Sequence, residues 1–185
     1  MKHSKHQNQV RIIGGSHRGR KLHFNDADGL RPTPDSVRER VFNWFGQDLT
    51  GKTVLDLFSG SGALGLEAAS RNARRVVLVE NNRRTLETLK QNNRLLGFRQ
   101  TEVVFSDGLS YLKNNPLCFD VVFLDPPFAW NRWPELFELL KGRLKTEAVI
   151  YLEAGALPDI PEWLNVFREG KSGLSRFKLL VHAAE

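Results

Sequence analysis

Five short apolar runs rich in β-branched residues recur at 53–57, 76–80, 102–105, 120–124 and 148–152, and no other feature of the chain restricts its fold as much. Each run is apolar on both faces, which a strand tolerates only when it is covered on both sides. Helical patterns long enough for crossovers separate the runs. The pattern predicts an α/β chain with a doubly wound, mostly parallel sheet. Near the C-terminus, 164–169 and 175–182 flank Gly170-Lys171-Ser172-Gly173 and read as an antiparallel hairpin closing a sheet edge. Near the N-terminus, 10–13 and 20–24 bracket the turn-rich segment 14–19, which predicts a small β-hairpin. Thr33-Pro34 reads as an N-cap followed by Pro at the first helical position. Val37, Val41, Trp44 and Phe45 follow at helical spacing, so a helix of about three turns is expected there.

The 185 residues, 41% of them hydrophobic, suit one globular unit with a real core. The chain divides into a basic arm with its hairpin (1–30) and a main domain (31–185). Apolar runs such as Val121-Val122-Phe123-Leu124 fall far short of the roughly 18 residues of a membrane span. With no secretory stretch in the first ten residues and one cysteine, Cys118, a cytoplasmic location is expected. Residues 1–24 hold Lys2, Lys5, Arg11, Arg18, Arg20 and Lys21 and no acid. The other 21 basic and 21 acidic residues cancel, so the whole net charge of +6 sits in this arm. Such a block suits phosphate backbones, and Arg11, Arg18, Arg20 and Lys21 are candidate nucleic-acid contacts.

The segment from Val54 to Gly65 reads as a strand, a glycine-rich turn and a helix, with Gly60, Gly62 and Gly65 in a G-x-G-x-x-G pattern. Dinucleotide and S-adenosylmethionine (SAM) sites share this pattern, as well as an acid such as Glu80 at the end of the second strand for ribose hydroxyls. Asp56 favours the sulfonium ligand, because a carboxylate ahead of the turn would repel a pyrophosphate but can neighbour a cationic amino acid moiety. Phe58 and Asn81 flank these positions. Ser106-Asp107-Gly108 follows the third strand, placing an acid to accept from an adenine amino group, although Asp107 also suits a helix N-cap. A nicotinamide oxidoreductase would share the glycine turn, and a catalytically idle RNA-binding factor the basic arm.

Asp125-Pro126-Pro127-Phe128 leaves the fourth strand where ligands bind open α/β sheets. Two prolines fix two φ angles and remove two donors, so the loop presents carbonyl oxygens and a carboxylate. Such acceptors can hold the protons of an exocyclic amine and leave its lone pair to attack a methyl group in line. Phe128 offers a stacking face for an extruded base. The pattern predicts methylation of a nucleobase amino group, with Asp125, Pro126, Pro127 and Phe128 at the reaction centre. Adenine, cytosine and guanine amines fit this loop equally. Cys118 has no setting for covalent catalysis, and the histidines form no metal cluster, so no metal is expected.

The chain resembles the RsmD-type methyltransferases. The resemblance is carried by Arg11-Ile12-Ile13-Gly14-Gly15, Arg18-Gly19-Arg20, Arg31-Pro32-Thr33 with Arg38-Glu39 and Phe42-Asn43, Asp56 to Gly62 with Glu67-Ala68-Ala69-Ser70-Arg71, and Asp125 to Phe128. It implies a class I SAM-dependent, Rossmann-like fold with a seven-stranded sheet. It also implies methylation of guanine N2 in 16S ribosomal RNA, rather than of another RNA or DNA base, with the assembled or assembling small subunit as partner; a monomer is expected, although the sequence leaves the oligomeric state open. It further implies that the helix bearing Arg38 and Glu39 closes over the cofactor, with both residues near the methionine end or the target nucleotide and Arg38 a candidate RNA contact.

Overall fold

The computed structural model describes residues 8–25 and 32–183, so the expectations for Lys2, His3, Lys5, His6 and Arg31 lie outside the described residues. A two-stranded hairpin, β1 (Gln9–Arg11) and β2 (Lys21–His23), comes first, with a short 3₁₀ turn at Gly15–His17. The main unit runs α1 (Asp35–Trp44), β3 (Thr53–Asp56), α2 (Ala63–Ser70), β4 (Arg75–Glu80), α3 (Arg83–Leu96), β5 (Thr101–Phe105), α4 (Gly108–Asn114), β6 (Phe119–Leu124), α5 (Trp133–Lys141), β7 (Leu144–Ala154), β8 (Leu164–Ser172) and β9 (Ser175–His182).

Seven strands form one sheet in the order β5-β4-β3-β6-β7-β9-β8. β3 to β7 pair in parallel, whereas β9 is antiparallel to both β7 and β8. Alternation along the buried strands separates two apolar layers. Val54, Val76, Leu78, Val121 and Phe123 face the helices α1, α2 and α3; Leu55, Val77, Val79, Val122 and Leu124 face α4 and α5. The chain order reverses at β3, which has β4 on one side and β6 on the other. A cleft therefore opens above the carboxyl ends of β3 and β6, at the switch point.

Two expectations need correcting. The fifth run is part of a longer strand, β7, whose first residues include Lys145, Thr146 and Glu147. These residues escape the apolar pattern because the segment is largely exposed, and Lys145 pairs with Asp120 at 2.9 Å. Thr33 does not cap α1. Pro34 holds the capping position without a side-chain bond, and the Thr33 hydroxyl turns inward to Glu153.

The N-terminal hairpin is fastened to α2 by a buried carboxylate. Glu67 accepts from the backbone N–H groups of Ile13 and Gly14 at 2.8 and 2.9 Å and pairs with Arg71 at 2.9 Å and Arg38 at 3.4 Å. Gly15 (φ +77°) lies so close to the Ser70 carbonyl that no side chain would fit there. Asn92 of α3 accepts from His23 N–H at 2.9 Å and donates to the carbonyls of His23 and Ser61 at 2.8 and 2.9 Å. One side chain thus ties β2 to the glycine turn.

Candidate active site

The cleft offers about 470 Å³ of empty space including its open mouth; Phe24, Thr33, Asp56, Phe58, Gly60 and Asp125 are among its lining residues. Asp56 ends β3 with its carboxyl buried. Oδ2 accepts from Gly65 N–H at 2.9 Å, while Oδ1 has no partner among the described residues. A Cβ on Gly65 would run into Leu78 and lie 3.0 Å from the Asp56 carboxylate, so this glycine lets α2 approach β3. Burial, opposed by the Gly65 hydrogen bond and helped by the Glu80 charge, pushes the Asp56 carboxyl up to about 7. A buried carboxylate with one free oxygen fits a cation, and the ammonium of an amino acid moiety would complete it.

Glu80, at the end of β4, accepts from Gly60 N–H at 2.8 Å through Oε2, and from Asn81 and Asn82 N–H at 3.2 Å through Oε1. It braces the glycine turn and stays partly exposed. Asp107 caps α4, accepting from Ser110 N–H at 3.0 Å through Oδ2. Of the two roles expected for it, the cap is present in the fold. Gly108 lies 3.0 Å from Leu57 as measured from a built Cβ, which brings the start of α4 against the end of β3. Phe58 packs edge-on to Trp130 at 5.3 Å, joining the glycine turn to the segment after Asp125-Pro126-Pro127-Phe128.

Asp125 follows β6 directly, with its carboxyl enclosed. Burial first, then the Glu153 and Asp56 carboxylates, holds it well above the usual carboxylate range, while the Thr33 hydroxyl, 3.4 Å away, opposes the rise. The carbonyl of Pro127 closes a turn by accepting from Trp130 N–H at 2.9 Å, whereas that of Pro126 accepts nothing among the described residues. The loop therefore presents one enclosed carboxyl and one free carbonyl. Phe128 is 66% exposed and lies over Gly155, with its ring open to solvent.

Residues beyond the expected set complete this site. Glu153 is buried on β7 and accepts from Thr33 Oγ1 at 3.0 Å and from Tyr151 Oη at 2.8 Å. Thr33 lies within reach of both acids, so Glu153 and Tyr151 set the ground beneath Asp125. A usable signal was present: Asp56, Glu80, Asp125 and Glu153 are each an acid within one residue of the carboxyl end of a strand.

Arg38 does not face RNA. It is 0% exposed and spends its guanidinium on the carbonyls of Thr33 and Arg11 and on Asp35 and Glu67. Glu39 is exposed and outside the cleft lining. Arg11 pairs with Asp35 at 2.9 Å, and Arg20 donates to the Leu95 carbonyl at 2.9 Å; Arg18 and Lys21 are exposed. The hairpin turn rests on the C-terminal ends of α2 and α3, through Ser70 and Leu96. The turn bearing Arg18 and Arg20 therefore sits by the C-terminal end of α3, whereas Lys21 lies three residues before Phe24, and Arg11 pairs with Asp35 two residues after Thr33; Phe24 and Thr33 both line the cleft.

Sheet order, glycine turn and acids at the strand ends define the class I SAM-dependent methyltransferase fold. An RNA methyltransferase from Salinibacter ruber, solved with S-adenosyl-L-homocysteine, has the same fold, with a TM-score of 0.66 at 20% identity over 84% of this chain and 95% of that one. A family model described as "Conserved hypothetical protein 95" matches residues 10–181. The ribosomal RNA small subunit methyltransferase D of Escherichia coli is 41% identical over 182 residues, 96% of this chain and 92% of that protein. A solved structure of an E. coli protein assigned as a methyltransferase superposes with a TM-score of 0.85 at 37% identity, covering 96% of this chain and 99% of that one. The chain belongs to the ribosomal RNA small subunit methyltransferase D family.

Proposed function

We propose that the protein transfers a methyl group from SAM to the exocyclic 2-amino group of a guanine in the 16S RNA of the small ribosomal subunit. The observation that carries this reading is the single cleft shared by two acidic groups with different tasks: Asp56, with an oxygen free for a cation, and Asp125, next to the unpaired Pro126 carbonyl. When bound, SAM supplies an electrophilic methyl group on a sulfonium. Asp56 holds the ammonium of its amino acid portion, and Glu80 and Asp107 stand at the neighbouring strand ends for ribose and adenine. Asp125 and the Pro126 carbonyl accept the two N–H bonds of the target amine, and a cation in the cleft favours the ionised carboxylates that this requires. Phe128 presents its open ring to the extruded base.

The small-subunit RNA as carrier accords with the name of the E. coli relative, and guanine as the base with the resemblance of the motifs to the RsmD-type methyltransferases. The exposed cations Arg18 and Lys21 on the N-terminal hairpin support an extended polyanionic substrate over a free nucleotide. Mass spectrometry of nucleosides after incubating the protein and SAM with unmethylated small subunits tests the proposal. N2-methylguanosine is the expected product, and subunits left unmodified would refute it.

A pH dependence follows from Asp56. Its folded value of about 7 lies above the ordinary 3.8, so its contribution to the stability of the ligand-free protein is complete below about pH 4 and is lost as pH rises through about 7. SAM binding has the opposite trend, because only the ionised carboxylate pairs with an ammonium. Affinity measured by calorimetry should rise roughly tenfold from pH 6 to pH 8, and the rise should vanish in Asp56→Asn. An equal slope in the variant would assign the dependence to another group.

A further inference from the structure

We infer that the tip of the β8–β9 hairpin is a second RNA-contact surface, in which Lys171 and Arg176 grip backbone phosphates beside the target nucleotide and Leu174 covers an apolar part of the same strand. This rests on the RNA-methylating reading above.

Strand register places the tip at the mouth of the cleft. Leu124, the residue before Asp125, is level with Leu152 on β7, Lys178 on β9 and Glu169 on β8. Two residues further toward the cleft the aligned set is Ala154, Arg176 and Lys171. The exposed ring of Phe128 lies over Gly155, next in line to Ala154. At about 4.8 Å between strands, the backbone of Arg176 stands about 10 Å from the β6 line and that of Lys171 about 14 Å. Phe128, Arg176 and Lys171 thus run in a row along one rim of the cleft. The turn of the N-terminal hairpin, with Arg18 and Arg20, lies by the C-terminal end of α3.

The charges themselves point to a ligand. Lys171 and Arg176 are directly opposed across β8 and β9, an arrangement in which like charges repel. One step down the same face the opposed pair is Glu169 and Lys178, and these two form an ion pair at 3.5 Å. At the rim both partners are cations, both are exposed, and neither has an ion pair or side-chain hydrogen bond among the described residues. Protection of a sheet edge explains a lysine on β8. It does not explain Arg176, because β9 is covered by β7 and β8 on its two sides. A phosphate between the two cations would turn their repulsion into attraction. Leu174 beyond them is 85% exposed, the most exposed large apolar side chain among the described residues. A flanking sugar or base edge would cover it.

The test is steady-state methylation of unmethylated small subunits by the full chain at several salt concentrations. It is run alongside calorimetry with SAM and thermal denaturation of each variant. Lys171→Ala/Arg176→Ala should raise KM about tenfold or more, leave kcat and SAM affinity unchanged, and lower the slope of log KM against log salt by about 1.4, at roughly 0.7 per phosphate on single-stranded RNA. Leu174→Ser should raise KM without changing that slope, and the swap Lys171→Arg/Arg176→Lys should restore wild-type KM. Unchanged KM and slope in the double alanine variant, with the wild type active, would overturn this inference alone. A raised KM for subunits with unaltered binding of protein-free 16S RNA would overturn it in favour of a ribosomal protein contact. A wild type that leaves subunits unmethylated would overturn both this inference and the function on which it rests.

Discussion

Asp125→Ala is expected to lower kcat for methyl transfer by about 10²–10³-fold, the loss typical of removing one group preorganised for the transition state. SAM affinity should stay within a few-fold of the wild type. The separation follows from the geometry, because Asp125 bonds neither the glycine turn nor Glu80; its contact is Thr33, and through Thr33 it meets Glu153. The variant keeps Asp56, the Gly65 N–H and the turn held by Glu80. Transfer of tritiated methyl groups to small subunits measures the first quantity and calorimetry the second. Turnover near wild type would remove Asp125 from the reaction centre and leave the Pro126 carbonyl as the main acceptor. A matching collapse in SAM affinity would instead make Asp125 part of the cofactor site.

Arg38→Ala should destabilise the fold by about 3–5 kcal/mol, as expected when one partner of a buried ion pair is removed. For a chain of this size the same loss lowers Tm by roughly 6–20 °C. Arg38 is the centre of a buried lattice: without it the carbonyls of Thr33 and Arg11 lose a donor, and Glu67 keeps Arg71 but loses its second cation. Burial already draws the guanidinium below its ordinary value, with Glu67 and Asp35 pulling the other way, so the site tolerates this charge only because it is fully paired. An RNA contact would behave differently, with KM rising and Tm unchanged. Differential scanning calorimetry together with the subunit assay separates the two roles.

The parallel sheet was legible because a strand covered on both faces must be apolar at every position, and 53–57, 76–80 and 120–124 are nearly so. The start of β7 was not legible, since Lys145 and Glu147 lie where the strand runs into solvent. The cofactor turn and the tetrapeptide stood out because their chemistry is local, set by glycines, prolines and acids a few residues apart. Arg38, Glu67 and Asn92 have roles defined by partners up to 69 residues away, and no spacing within the chain announces them. Thr33 shows the same limit. Its sequence setting is that of a helix cap, yet a buried carboxylate on β7 competes for its hydroxyl and wins.

Asn92 leaves little room for change. Its amide supplies one acceptor and two donors, and all three are in use, two on β2 and one on the carbonyl of Ser61. Aspartate would keep the acceptor and lose both donors, a serine could not span the two sites, and leucine would leave all three backbone groups without this partner. Position 92 is therefore a point where the hairpin's hold on the domain and the shape of the glycine turn are inherited together: drift in one is penalised through the other, although the two segments are separate in sequence and have different tasks.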